Sequence, residues 1–212
     1  MLKTLTAFFI LSLLIISHQS QAFESVCSPL NQINPSQEPA STTRCRIVGD
    51  TFFLEGAITK DIYQELRDFH SDVKHLELNS FGGVIETAYK LAALVRERSL
   101  TTNVRKEAKC ASVCTLVFQA GIKRSAHPSV KFLYQGESLA RQPVLHENEK
   151  YFKFMIYYGM DRKFIDYYQK LPDPDRKKDL IISSMKLVDY NIVQDFDLRE
   201  EFPELEVIPY RI

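Results

Sequence analysis

Hydrophobic residues fall along this chain in several distinct rhythms. The first is a solid block, "AFFILSLLII" at residues 7–16, with Lys3 ahead of it and no acidic residue before Glu24. From Phe23 to Thr43 the rhythm is lost in a stretch rich in Ser, Pro, Asn and Gln, which reads as an irregular leader. Beyond it the pattern becomes regular. "TFFLEGAI" (Thr51 to Ile58) carries the aromatic and branched residues of a strand, and Thr59 is placed to cap a helix through "KDIYQELRDF", where Ile62, Leu66 and Phe69 recur at helical spacing. "VKHLELNS" alternates as a strand does, "FGG" breaks it, and "VIETAYKLAALVRERS" returns to the helical period. "TTNVRK" and "SVKFLYQ" predict further strands. A polar connection from Gly136 to Pro143 leads to helical stretches between His146 and Leu171. Strand and helix in repeated alternation predict an α/β layered domain with parallel strands.

The opening block, followed by the small-residue pattern "SQA" at Ser20 to Ala22, describes a secretory signal peptide over residues 1–22, with cleavage expected after Ala22. Ten apolar residues fall short of the roughly 20 needed to cross a bilayer, so no stable membrane span is expected after cleavage. Cys27 follows "FESV" rather than a lipoprotein-like processing signal. The protein is therefore expected to be periplasmic or secreted, with a tethered leader at 23–45 and one domain at 46–212. Lys plus Arg number 27 and Asp plus Glu number 27, a balance that advertises neither nucleic acid nor an anionic surface as partner. No phosphate-binding loop, metal-binding triad or dinucleotide fingerprint appears, so no cofactor is expected. The cysteines, Cys27, Cys45, Cys110 and Cys114, are even in number, and in an oxidising compartment they predict two disulfides. The local pairing is Cys27–Cys45 and Cys110–Cys114, although spacing does not fix connectivity. Cys110 and Cys114 at i, i+4 offer two metal ligands as well, but no histidine lies close in sequence.

Two turns hold the candidate chemistry. In "LNSFGGVIETAY" a strand ends at Asn79 and Ser80 and Gly82–Gly83 opens a helix, leaving main-chain N–H groups unscreened by side chains. In "KCASVCTLVFQAG" Ser112 stands between two cysteines, ahead of an apolar helix. Taken singly, the first is an ordinary glycine turn and the second an ordinary N-cap. Their order is more specific. "LNSFGG", helix, strand, "CASVCTLVFQAGIKR" and "HPSVKFLYQ" together resemble the Clp protease proteolytic subunit of the crotonase-like superfamily, and its secreted relatives with a Cys-x-Ser-x-Cys motif, over roughly Arg46 to Phe196.

The resemblance implies a crotonase/Clp-protease-like layered fold with a helical C-terminal part. It also implies a site. Ser112 falls on the nucleophile, Gly83 and Val113 on the two amides of the oxyanion hole, and Phe81 on a proline of the family turn. The family's histidine base falls on Gln135, or on Tyr134 if one residue is skipped, and its acid falls on Asp179, with Asn191 in a glycine place. A glutamine amide accepts no proton near neutral pH, so Gln135 leaves the serine without that base. His127, His146, Lys109 and Lys123 are the remaining nearby bases, while His70 and His75 flank the strand before the glycine turn. A Cys110–Cys114 bridge would lock the serine's turn. Two readings follow: a serine hydrolase with a degenerate triad, or an inactive relative that binds a peptide or partner protein. The aromatic run "YFKFMIYYGM" is expected in the core or a subunit contact, and the resemblance implies a homo-oligomer.

Overall fold

The computed structural model describes Cys27 and residues 43–134, 145–171 and 180–199, with side chains from residue 150 onward in the second of these segments. A hairpin opens the domain: β1 (Arg44–Val48) runs antiparallel to β2 (Thr51–Glu55), Arg44 opposite Glu55. From β2 the sheet becomes parallel, through β3 (His75–Asn79), β4 (Thr101–Val104), β6 (Arg124–Ala126) and β9 (Asp195–Phe196). A second sheet holds β5 (Cys110–Ala111) parallel to β7 (Lys131–Tyr134), with β8 (Leu180–Ser183) antiparallel at its edge. The α/β layering and the parallel centre agree with the sequence pattern, and the antiparallel β1 and β8 make both sheets mixed.

Helices α1 (Lys60–Phe69) and α2 (Ile85–Glu97) follow their apolar stripes: α1 buries Ile62 and Leu66, α2 buries Ala88, Leu91, Ala92 and Val95. They pack with Phe52, Leu54, Leu76 and Leu78 of the sheet in one hydrophobic core. α3 (Cys114–Ala120) lies inside that core, every one of its residues buried. α4 (Leu145–Tyr157) brings the aromatic run onto the core, with Met155, Tyr158 and Met160 buried, and α5 (Lys163–Lys170) adds Phe164, which meets Tyr134 at 5.0 Å and Tyr190 at 5.3 Å between ring centroids. The expectation of aromatic packing is met there, while Tyr157 is 80% exposed. α6 (Ser184–Leu187) is capped by Ser183, whose hydroxyl accepts from the Lys186 amide, and Asn191 adopts the left-handed φ of +53° expected of a glycine substitute. Thr59 occupies the cap position of α1 but makes no side-chain cap bond. β2 stops at Glu55 because Gly56 turns the chain with φ +95°. Among the described residues no helix is long and apolar enough to cross a membrane.

A polar clasp ties the chain's later part to the sheet. Glu77, Asn103 and Ser125 are register neighbours across β3, β4 and β6. The Asn103 amide donates to Glu77 at 2.9 Å and to Asp197 at 2.6 Å, and its oxygen accepts from the Ser125 hydroxyl at 2.8 Å. Arg199 closes the group, donating to Glu77 and Asp197 at 2.8 Å each. Burial opposes ionisation of Asp197, but the Arg199 and Asn103 hydrogen bonds outweigh it and hold the carboxyl at about 2. A depressed carboxyl contributes stability above its unfolded pKa and loses it as pH falls through the folded value. Asp197→Asn is accordingly expected to lower the unfolding free energy by about 1–2 kcal/mol at pH 7, after allowance for solvent screening at its partly exposed partner Arg199. The deficit should shrink between pH 4 and pH 2 in urea titrations, and an unchanged deficit across that window would mean that the clasp acts through packing alone.

Candidate active site

The two turns meet. Ser80, immediately past β3 and fully buried, donates its amide to the Lys109 carbonyl at 2.7 Å and accepts from the Ala111 amide at 3.0 Å. These bonds form a parallel bridge to Cys110 that joins the end of the large sheet to the start of the small one. The next two residues bend back: Gly82 donates to the Ser80 hydroxyl at 3.0 Å with φ +106°. A methyl group on Gly82 would stand 2.8 Å from Ser112 Cβ and 3.2 Å from its Oγ, so the glycine turn lies directly against the serine. Phe81 stands exposed on the turn, and the Ser80 side chain constrains the turn through its bond from the Gly82 amide.

Gly83 is held from the other side. Ile58 donates to the Gly82 carbonyl at 2.8 Å and accepts from Val84 at 3.0 Å, and a Cβ on Gly83 would come within 2.4 Å of the Ile58 carbonyl oxygen. Ser112 sits between β5 and α3 with φ +55°, a left-handed conformation that costs a non-glycine residue of order 1 kcal/mol or more. Its amide donates to Leu133 at 2.8 Å, and its carbonyl accepts from the Thr115 amide and hydroxyl at 3.0 and 2.7 Å. The Tyr151 hydroxyl of α4 bonds the Thr115 hydroxyl in turn. The Cys110–Cys114 disulfide spans the turn. Among the described residues the amides of Gly83 and Val113 form no hydrogen bond.

The candidate bases among the described residues are placed elsewhere. His127 Nδ1 lies 2.7 Å from the Ser129 hydroxyl, ahead of β7, whereas Ser112 binds near that strand's end. His75 opens β3, at the opposite end from Ser80, and His70 pairs with Glu65 past the end of α1. The Lys109 ammonium rests 5.0 Å over the exposed Phe81 ring, and Lys123 is exposed in the turn after α3. Burial, reinforced by Tyr151, pushes the Tyr134 phenol well above its usual value, so it holds its proton. Gln135 and Asp179 lie outside the described residues, as does the side chain of His146. Three positioning residues escaped the sequence reading. Ser80 had a legible signal, a serine two residues before a glycine, whereas Ile58 and Tyr151 reach the site only through tertiary packing.

No family model and no curated protein matches the chain. Among solved structures, a ClpP1 mutant from Listeria monocytogenes superposes on 70% of this chain and 91% of its own, with TM-score 0.48 and 16% identity. The ClpP protease catalytic domain from Plasmodium falciparum covers 68% of this chain and 83% of its own, with TM-score 0.49 and 13% identity. These likenesses concern the path of the chain, and the site is defined by the distances above. Because the Gly83 turn is locked between Ile58 and the serine turn, Gly83→Ala is expected to cost about 2–4 kcal/mol in urea unfolding, as a backbone clash inside a packed site does. A loss below about 0.5 kcal/mol would show that the turn yields freely.

Proposed function

We propose that the chain is a periplasmic or secreted serine hydrolase of the Clp-like type, acting on acyl bonds such as those of peptides, with a degenerate triad and slow turnover. The observation that carries this reading is the contact between the glycine turn and Ser112, with the amides of Gly83 and Val113 both unspent. Ser112 Oγ adds to the carbonyl carbon of the substrate. The carbonyl oxygen takes up negative charge, and the two amides donate to it. Preorganised donors of this kind typically lower the barrier by a few kcal/mol. The hydroxyl proton has to leave, and Gln135 cannot receive it, so water or hydroxide takes that part and turnover stays orders of magnitude below that of an intact triad. Asp179 then has no imidazole to orient.

A second reading is favoured by the placement of the described histidines away from Ser112: the same cleft holds a peptide or partner protein without cleaving it. In either reading association into a homo-oligomer belongs to the proposal, and exposed Tyr157 offers surface for it. A fluorophosphonate probe separates the two. The hydrolase reading expects slow stoichiometric labelling that rises with pH and vanishes in Ser112→Ala. Absence of labelling at every pH overturns it in favour of binding.

A further inference from the structure

The lip of the Ser112 turn carries an unanswered charge. Lys109 is fixed by its backbone: its amide donates to the Asn79 side chain at 3.0 Å, and its carbonyl accepts from the Ser80 amide at 2.7 Å. Its ammonium lies 5.0 Å from the centre of the Phe81 ring, and Phe81 immediately precedes the glycine that touches Ser112. A cation is attracted to an aromatic face, which keeps this one at the lip while its N–H groups stay open to an acceptor. The neighbouring charges are answered: Glu77 pairs with Arg105 at 3.5 Å, and Glu86, in the first turn of α2, pairs with Lys150 at 3.8 Å. Among the described residues no carboxylate pairs with Lys109, and the loop that it closes, "RKEAK" at residues 105–109, holds three cations to one acid. The shelf beneath it is apolar, since Phe81 and Val84 bracket the two glycines and are 53% and 55% exposed.

We propose that Lys109, seated on Phe81, is a specificity-determining residue of the Ser112 cleft and selects peptides with an acidic side chain near the carbonyl held at Ser112, an apolar neighbour resting on Phe81 and Val84. This selection rests on the proposed reading of Ser112 and adds a substrate class to it. An extended peptide advances about 3.4 Å per residue, and the ammonium is one residue step and one ring contact away from Gly82, so the acidic residue falls about two or three places from the held carbonyl. Its carboxylate accepts from the ammonium without displacing it from the ring, a charge-assisted hydrogen bond. An asparagine in the same place keeps the shape and loses the charge, and a lysine there meets like-charge repulsion. The pair is exposed, so its effect is that of a surface ion pair, up to about fivefold in affinity, and salt screens it.

The test follows fluorescence anisotropy of short fluorescein-labelled peptides added to the full chain. The peptides share one sequence of glycine, serine and a single leucine, and the residue beside the leucine is aspartate, asparagine or lysine, the pair being moved along the peptide in turn. At its best position aspartate is expected to bind about fivefold more tightly than asparagine, with lysine weakest, and the gap should close at high salt. This series needs no variant to fold. Lys109→Glu should reverse the order of aspartate and lysine, an exchange that a merely structural lysine does not produce. Equal affinities at low salt, an order that Lys109→Glu leaves unchanged, or absence of peptide binding overturns the proposal. Fluorophosphonate labelling of Ser112, read in parallel, separates the two ideas. Labelling without a charge preference sinks the lip and leaves the hydrolase, whereas a charge preference without labelling sinks the hydrolase and leaves the lip.

Discussion

The arrangement depends on one short piece of main-chain pairing, the bridge between Ser80 and Cys110. It lies where β3 of the large sheet has just ended and β5 of the small sheet begins, so it fixes the angle between the layers and the approach of the two turns. Everything near Ser112 inherits its position from that join. Gly82 can touch the serine because Ser80 is anchored to Lys109 and Ala111. The left-handed backbone of Ser112 is sustained by Leu133 on one side, Thr115 on the other and a disulfide across the base. Strain at such a residue persists only where its surroundings over-determine it.

In the hydrolase reading the site is half of a reacting centre. Its electrophilic side, a pair of amides beside a hydroxyl, is built from backbone and so tolerates much change of side chain. In the same reading its basic side depends on one side-chain identity, the position that the sequence resemblance assigns to Gln135. Without a base, that reading leaves a serine whose surroundings favour holding a carbonyl over attacking it. This is why the hydrolase and binding readings share one geometry and differ only in where a proton can go.

Much of this was legible in the sequence. Long amphipathic segments such as α1 and α2 declare themselves because burial of a stripe dominates their energetics, and the placing of Ser112 and Gly83 in separate turns followed from strand and helix rhythm. Shorter elements did not. β5 is two residues and β8 four, and each exists only because a neighbour supplies hydrogen-bond partners. β1 was hidden for a related reason: "RCRIV" alternates charge and hydrophobe at the edge of a polar leader, so its pairing with β2 had to be seen in space. The clasp of Glu77, Asn103 and Asp197 lay equally out of sight, its bonded members Asn103 and Asp197 being 94 residues apart.

The helix that follows Ser112 leaves none of its residues at the surface. In most proteins the residues near a reactive group can drift while the framework stays put. Here the neighbours of the hydroxyl on its C-terminal side are the framework, so a lineage that altered them would repack the interior in the same step. Divergence in such a protein is channelled toward the outer lip, where Phe81 and Val84 face solvent, and that is where closely related chains should differ in what they admit.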